Sequence, residues 1–132
     1  MTTSLVKEYY DGLTEGRLVA HRCDDCGTST FPATMCCESC GSYAYSDLTL
    51  SGRGSLLFAS HNIAACHPRF VPYAPYAYGH VLLDEGVIVQ GLLQGVEGSA
   101  TAIAELYPRL PLPIVTEVLQ TEDLPVLTFR LA

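Results

Sequence analysis

Two short cysteine motifs constrain the fold of this chain more than any other feature of its sequence. Both follow the pattern CxxCG, and together they supply four cysteines: Cys23, Cys26, Cys37 and Cys40. Ten residues lie between the last cysteine of the first motif and the first cysteine of the second. Each CxxC turn can aim two sulfurs at one point, and the glycine after it permits the tight backbone on which amides reach those sulfurs. Because structural Zn²⁺ prefers four tetrahedral thiolates, the motifs predict a four-cysteine metal site on a compact ribbon with one short hairpin, Thr28 to Met35.

The other potential ligands near these motifs are weaker candidates. Cys36 lacks the two-residue spacing to Cys40, so it is predicted to be a spectator. His21 is a weaker alternative ligand, because most histidines in such positions are plain strand residues. Iron in a rubredoxin-like site is the rival to zinc, since a tetrahedron of four sulfurs suits both metals. A closed site of four cysteines has no position for an activated water, so the metal is predicted to be structural.

Charge and hydropathy disfavour two classes of partner. The 132 residues carry a formal net charge of −7, with Lys7 as the only lysine. Because phosphate neutralisation supplies most nonspecific nucleic-acid affinity, DNA or RNA binding is disfavoured. No apolar stretch approaches the roughly 20 residues of a membrane span, and the first residues lack the pattern of a signal peptide. We therefore expect a cytoplasmic protein without membrane contact, in which clustered cysteines indicate metal rather than disulfides.

The rest of the sequence predicts one short helix and a mainly β fold. Ser4 can cap a helix whose apolar stripe covers residues 5–13. Strands are predicted at 17–22, 43–50, 55–60, 76–83, 87–93, 114–119 and 124–131, with irregular stretches at 62–75 and 95–113. The last five strands match the strand count of a small Greek-key barrel such as the OB-fold. We therefore expect an N-terminal helix and a four-cysteine zinc ribbon in residues 1–50, followed by an OB-fold domain in residues 51–132.

The sequence offers no catalytic set. Cys66 and His67 are the only cysteine and histidine next to each other, but adjacent side chains tend to point apart, and a working pair needs defined hydrogen-bond geometry. We therefore assign no catalytic residue, and no residue is singled out as a CoA ligand. The tyrosines between Tyr73 and Tyr78 are more typical of loop packing or a protein interface than of a stacking surface for nucleic acid.

Short motifs that span nearly the whole chain carry a family resemblance. They are residues 10–18 (YDGLTEGRL), 22–27 (RCDDCG), 31–32 (FP), 37–42 (CESCGS), 51–54 (SGRG), 75–76 (PY) and 83–87 (LDEGV). On these motifs the chain resembles the acyl-CoA-associated family that joins a rubredoxin-like zinc ribbon to a five-stranded OB-fold barrel. Members of that family look like non-catalytic subunits of complexes with thiolase-superfamily enzymes, including thiolases, acyltransferases and a retro-aldolase, and others accompany MaoC-like enoyl-CoA hydratases.

The resemblance implies a function, and two alternatives stay open. The leading hypothesis is an accessory subunit of a thiolase-fold enzyme, in a hetero-oligomer where any acyl-CoA contact comes through the partner. A partner of a MaoC-like enoyl-CoA hydratase is the second hypothesis, and a zinc-ribbon/OB nucleic-acid-binding protein is the third. Because buried aromatic anchors dominate interface energy, we expect several apolar segments to contact the partner. These are Tyr9, Tyr10 and Leu13 of the helix, Phe31 of the ribbon, and the loop from Tyr73 to Tyr78.

Overall fold

The computed structural model describes residues 4–64 and 67–132, most of which lie in or between short strands. In chain order the elements are α1 (Leu5–Thr14), β1 (Leu18–Cys23), β2 (Ser29–Thr30), β3 (Tyr45–Leu50), β4 (Arg53–Asn62), β5 (Tyr76–Leu83), β6 (Ile88–Glu97), α2 (Ala100–Leu106), β7 (Leu112–Leu119) and β8 (Val126–Leu131). Two 3-10 helices cover Pro68–Tyr73 and Tyr107–Arg109. Within the described ranges, no helix is long and apolar enough to cross a membrane.

Helix α1 forms where the sequence predicts it and packs on the molecule itself. Ser4 takes the extended conformation of an N-cap residue, with φ −65° and ψ 135°, although its side chain makes no capping hydrogen bond. On the inner face Leu13 is buried in the core, and Tyr9 and Tyr10 pack half-buried against it. A helix of ten residues is marginal in isolation, so this docking is what stabilises it.

Two of the expected partner-interface residues are buried within the chain. Leu13 is 1% exposed and Phe31 is 8% exposed, and the Phe31 ring lies 5.8 Å from that of Tyr9. The expectation that Leu13 and Phe31 contact a partner is therefore wrong, because their apolar side chains complete the chain's own core. The expected loop from Tyr73 to Tyr78 is in part a strand, because β5 begins at Tyr76. Tyr73 is 37% exposed, and contact of this segment with a partner stays a prediction.

The ribbon, residues 18–50, is built on a three-stranded antiparallel sheet in the order β2-β1-β3. Strand β2 pairs with β1 at His21↔Thr30 and Arg22↔Ser29, so the short hairpin joins β1 to β2 around the first CxxC turn. The predicted hairpin within Thr28 to Met35 is therefore wrong in its position, because β2 is the one strand in that stretch. Strand β3 pairs along the whole of β1, so that Cys23 lies opposite Tyr45. This register brings the chain after Tyr45 alongside the strand that leads into the first CxxC turn.

Strands β4 to β8 close a barrel in the order β4-β5-β6-β8-β7, and β7 pairs back to β4. The pairing is antiparallel throughout, except between β6 and β8. Numbered within the barrel, the strands follow the order 1-2-3-5-4 of an OB-fold, which confirms the predicted fold class. Phe129, Leu56 and Val81 fill the interior without exposed surface.

The barrel carries a helix that the sequence pattern does not reveal. Residues 95–113 are expected to be irregular, and that expectation is wrong where α2 forms. The Ala102 amide donates to Ser99 Oγ at 3.2 Å, so the helix has a side-chain cap. It buries Ile103 and Leu106. With seven residues and two buried positions, α2 is too short to show helical periodicity.

Candidate metal centre

The four cysteines of the CxxC motifs meet between the two turns. Their Sγ atoms all lie within 4.8 Å of one another, with Cys23 and Cys40 at 3.6 Å and Cys26 and Cys37 at 3.5 Å. Tetrahedral Zn–S bonds of about 2.3 Å place neighbouring sulfurs about 3.8 Å apart. The sulfur positions therefore fit one tetrahedral ion, and the four cysteines form a metal site of the zinc-ribbon type.

Both turns have the same backbone. The Gly27 amide donates to the Cys23 carbonyl and the Gly41 amide to the Cys37 carbonyl, each at 3.0 Å. The two glycines have φ of +80° and +76°, a region that favours glycine. Amides also donate to sulfur within each turn: Cys26 N to Cys23 Sγ at 3.4 Å, and Ser39 N and Cys40 N to Cys37 Sγ at 3.3 and 3.5 Å. Such donors stabilise thiolates and orient them toward a metal.

These contacts change the acidity of the thiols in opposite directions. The Cys26 amide lowers the pKa of the Cys23 thiol, and the Thr28 side chain lowers the pKa of the Cys26 thiol. At Cys40 the Ser42 amide lowers the pKa, but the Cys23 and Cys26 sulfurs, together with desolvation and the Cys37 sulfur, outweigh it and raise the pKa to about 12. Four sulfurs this close cannot all ionise without a cation among them, which is the chemistry of a four-thiolate metal site.

His21 and Cys36 lie outside the sulfur cluster. His21 is buried, and its Nδ1 lies 2.9 Å from the Thr34 carbonyl oxygen. Its ring stacks on Tyr45 with centroids 3.9 Å apart and planes 14° apart, while its Nε2 lies 3.5 Å from Asp47 Oδ1. Cys36 is exposed and does not join the group of four. His21 therefore acts as a packing residue within the ribbon.

Polar side chains that no sequence motif predicts form hydrogen bonds to the two turns. Ser42 Oγ donates to the Asp25 carboxylate and accepts a hydrogen bond from the Ala44 amide at 3.1 Å. Ser46 Oγ donates to Asp24 Oδ1 at 2.7 Å. Both carboxylates thus tie the first turn to the chain that follows the second. The one sequence signal for this role is the Asp-Asp pair inside the first CxxC motif.

A separate cavity of about 600 Å³ opens on the barrel beside β5 and β6. Three aromatic rings line it: Phe70, Tyr76 and Tyr78. Asn62 Nδ2 donates to Tyr76 Oη at 3.0 Å, and the exposed His67 also contributes to the lining. Cys66 lies outside the described residues, so the structure gives no geometry for the Cys66 and His67 pair. The described lining residues include no carboxylate, lysine or thiol.

Comparisons with known proteins match both halves of this architecture. The sequence model of the ChsH2 rubredoxin-like zinc ribbon domain matches residues 11–45. A solved structure described as an Ltp2-ChsH2(DUF35) aldolase is 26% identical with a TM-score of 0.73, and the alignment covers 95% of this chain and 92% of that chain. The chain is thus similar to ChsH2 and DUF35 proteins, and it joins a zinc-ribbon-type metal site to an OB-fold barrel.

Two curated relatives of this chain are longer than it is. A DUF35 domain-containing scaffold protein from Methanocaldococcus jannaschii is 30% identical over 76 residues, 56% of this chain and 52% of that protein. A probable enoyl-CoA hydratase alpha subunit from Thermomonospora curvata is 27% identical over 124 residues, 87% of this chain and 38% of that protein. The chain therefore spans about half or less of the length of these two relatives.

Proposed function

We propose that this chain is a non-catalytic, zinc-binding accessory subunit of a thiolase-superfamily enzyme complex that acts on acyl-CoA. The enzyme is a thiolase, an acyltransferase or a retro-aldolase, and the chain aids its assembly, its stability or the channelling of acyl-CoA. One observation carries the proposal. The chain is similar over nearly its full length to a structure whose description joins ChsH2(DUF35) to Ltp2 in an aldolase.

In this proposal Cys23, Cys26, Cys37 and Cys40 hold one Zn²⁺, with iron as the rival metal. When bound, the ion supplies a cross-link between the two turns. Because its four positions are filled by thiolates, it has none for a substrate or an activated water. Such an ion can contribute on the order of 10 kcal/mol of folding free energy to a small module. Its role here is to hold the two turns of the ribbon together.

The absence of a catalytic role is part of the proposal, and two features support it. The metal site is closed, and the lining of the cavity beside β5 and β6 offers His67 as its one imidazole among the described residues. A nucleophile needs a base within hydrogen-bond reach and a third group that orients the base. In the proposed complex the partner enzyme supplies these groups, and any contact with acyl-CoA is made together with that partner.

A second candidate function has its own observation. The similarity to a probable enoyl-CoA hydratase alpha subunit covers 87% of this chain, and it favours a MaoC-like hydratase as the alternative partner. The third hypothesis, nucleic-acid binding, has little support from the charges. Among the described side chains, three lysines or arginines lie in ion pairs: Lys7 with Asp11, Arg17 with Glu15, and Arg130 with Glu117. We propose a cytoplasmic protein that binds neither nucleic acid nor membrane.

We also propose that the chain has two domains, residues 1–50 and 51–132. Strand β3 of the ribbon sheet ends at Leu50, and strand β4 of the barrel begins at Arg53. Across the described ranges the two sheets have no strand in common, which supports a boundary between these residues.

Affinity purification of the tagged full-length chain from its native host, followed by mass spectrometry, tests the proposed partner. We expect a thiolase-superfamily subunit in a fixed stoichiometric ratio with the chain. A MaoC-like hydratase in place of the thiolase-superfamily subunit would support the second candidate function. Recovery of the chain without a stoichiometric enzyme subunit would overturn both.

A further inference from the structure

A groove of about 590 Å³ runs between helix α1 and strand β3, and none of the four clustered cysteines is among its described lining residues. We call it the α1–β3 groove, and its lining residues are Ser4, Leu5, Val6, Glu8, His21, Met35, Tyr45 and Asp47. Three of these carry large apolar side chains that remain exposed: Val6 at 65%, Met35 at 69% and Tyr45 at 39%. Single exposed apolar side chains are ordinary, but several around one concavity indicate an interaction site.

The floor of this groove is held in place by packing and hydrogen bonds. His21 is 4% exposed, its Nδ1 lies 2.9 Å from the Thr34 carbonyl oxygen, and its ring stacks on Tyr45 at 3.9 Å. The exposed side of the Tyr45 ring is therefore presented on a fixed support. Pre-organisation of this kind lowers the entropy cost of binding.

The charge on the groove is negative. Glu8 and Asp47 line it, and none of the described lining residues is a lysine or arginine. Lys7, the only lysine of the chain, has its ammonium 2.6 Å from the Asp11 carboxylate, and this contact raises the pKa of Lys7. Two carboxylates beside apolar side chains complement a ligand that is apolar with an adjacent positive charge.

Strand β3 is an edge strand of the ribbon sheet, and its Tyr45 and Asp47 line the groove. In the described chain the sheet order is β2-β1-β3, so one edge of β3 has no neighbouring strand. Its six residues contain no proline and no lysine, which are common protections of an edge strand. An extended segment can therefore lie beside β3 and direct alternate side chains toward the groove.

We infer that the α1–β3 groove docks an extended segment of the enzyme subunit, with an apolar side chain next to a lysine or arginine. The apolar side chain contacts Val6, Met35 and Tyr45, and the cation lies near Glu8 and Asp47. This inference rests on the proposed function, because the enzyme subunit is the one occupant to which it commits.

The test uses the full-length chain and the enzyme subunit that copurifies with it. The double variant Val6→Ser/Met35→Ser removes two exposed anchors of the groove, and Leu57→Ser/Ile88→Ser removes two exposed apolar side chains of the barrel as a matched control. We expect the groove variant to raise the Kd for the enzyme about 30-fold, the size typical of lost interface anchors. The control should stay within about threefold of wild type. Metal content and melting temperature, measured on each variant, show whether it is folded.

A charge reversal and a photocrosslink give independent readouts. Glu8→Lys should slow association with the enzyme about tenfold at low salt, whereas Glu105→Lys on α2 should leave it within about twofold. A photoreactive amino acid at position 35 should crosslink to the enzyme subunit, and the same group at position 88 should not. The crosslinking experiment replaces Met35 and leaves the other apolar side chains of the groove in place.

The outcomes separate the two proposals. If wild type and both double variants bind the enzyme equally, and position 35 gives no crosslink, the docking inference is wrong while the proposed function stands. If the wild-type chain has no enzyme partner, the proposed function fails and this inference fails with it. If the groove variant loses a homodimer but keeps the enzyme, the groove belongs to a second copy of this chain, which also overturns the inference.

Discussion

Cys26 Sγ lies 3.5 Å from Cys37 Sγ, although the two residues belong to different turns and are eleven positions apart in the chain. Cys23 and Cys40 are related in the same way at 3.6 Å, across seventeen positions. Each close approach therefore links the first CxxC turn to the second. Because like-charged thiolates repel each other, this arrangement requires a cation between the turns.

The first prediction separates ligand from spectator at adjacent positions. Cys37→Ser should lose the bound metal and much of the folded protein, because it removes one of four thiolates from a buried position. Cys36→Ser should keep both, because the exposed Cys36 thiol is outside the cluster. Metal analysis and thermal unfolding of the two variants measure the difference. Full metal occupancy in Cys37→Ser would refute the assignment, whereas a visible iron–thiolate absorption band would change only the identity of the metal.

A second prediction concerns the core beneath helix α1. Leu13→Ala should destabilise the chain by about 2–5 kcal/mol, because truncation of a buried leucine loses its transfer free energy and leaves a cavity. Val6→Ala on the same helix is the control, and its exposed side chain should cost no more than about 0.5 kcal/mol. Denaturant unfolding of both variants provides the measurement. Equal stabilities would mean that Leu13 is hydrated in solution, and would return it to the list of interface candidates.

The alkaline limit of stability provides a third prediction. Burial raises the pKa of the Tyr9 phenol above its ordinary value of 10.0, with a lesser contribution from Tyr10. A raised folded-state pKa stabilises the fold below the unfolded pKa of about 10, and this contribution is lost as the pH rises through the folded pKa.

We therefore expect Tyr9→Phe to lessen the decline of the melting temperature above about pH 10. Tyr43→Phe is the control, because the Tyr43 side chain is 78% exposed. Parallel profiles for wild type and Tyr9→Phe would show that Tyr9 ionises as an exposed tyrosine does.

Much of the architecture could be predicted from local patterns, because the signals are strong at the places that determine it. The paired CxxCG motifs point to the ribbon, and strand β5 runs over the same residues, 76–83, that its sequence pattern predicts. Helix α2 is missed because its signal is a single Ser99 cap before a short apolar segment. The bracing carboxylates Asp24 and Asp25 are missed because their partners lie seventeen or more positions away.

The direction in which an apolar side chain faces could not be predicted from pattern alone. Leu13 and Phe31 have the composition expected of interface anchors, yet the tertiary structure places both in the core. Conversely, Met35 and Tyr45 become neighbours of Val6 only once the ribbon packs beside α1. Burial depends on the assembled elements, so sequence periodicity reports which face of a helix is apolar and not what covers that face.

A fourth prediction concerns Cys66 and His67, which are adjacent in the sequence. Cys66→Ala and His67→Ala should each leave the activity of the purified complex within a few-fold of wild type, because in the proposed complex the partner enzyme supplies the reacting groups. Steady-state kinetics of the assembled complex tests this expectation. A loss of about 10³ or more in kcat with assembly intact would assign catalysis to this loop, because losses of that size accompany removal of a nucleophile or base.

The central claim is that this chain supports an acyl-CoA enzyme without performing the chemistry, and acyl-CoA turnover tests it most directly. The measurement compares the isolated chain, the copurified enzyme subunit and their equimolar mixture under the same conditions. We predict that the isolated chain turns over no acyl-CoA thioester, and that the enzyme subunit is more active or longer-lived in the mixture than alone. Thioester turnover by the isolated chain, or an enzyme subunit indifferent to its presence, would contradict the account.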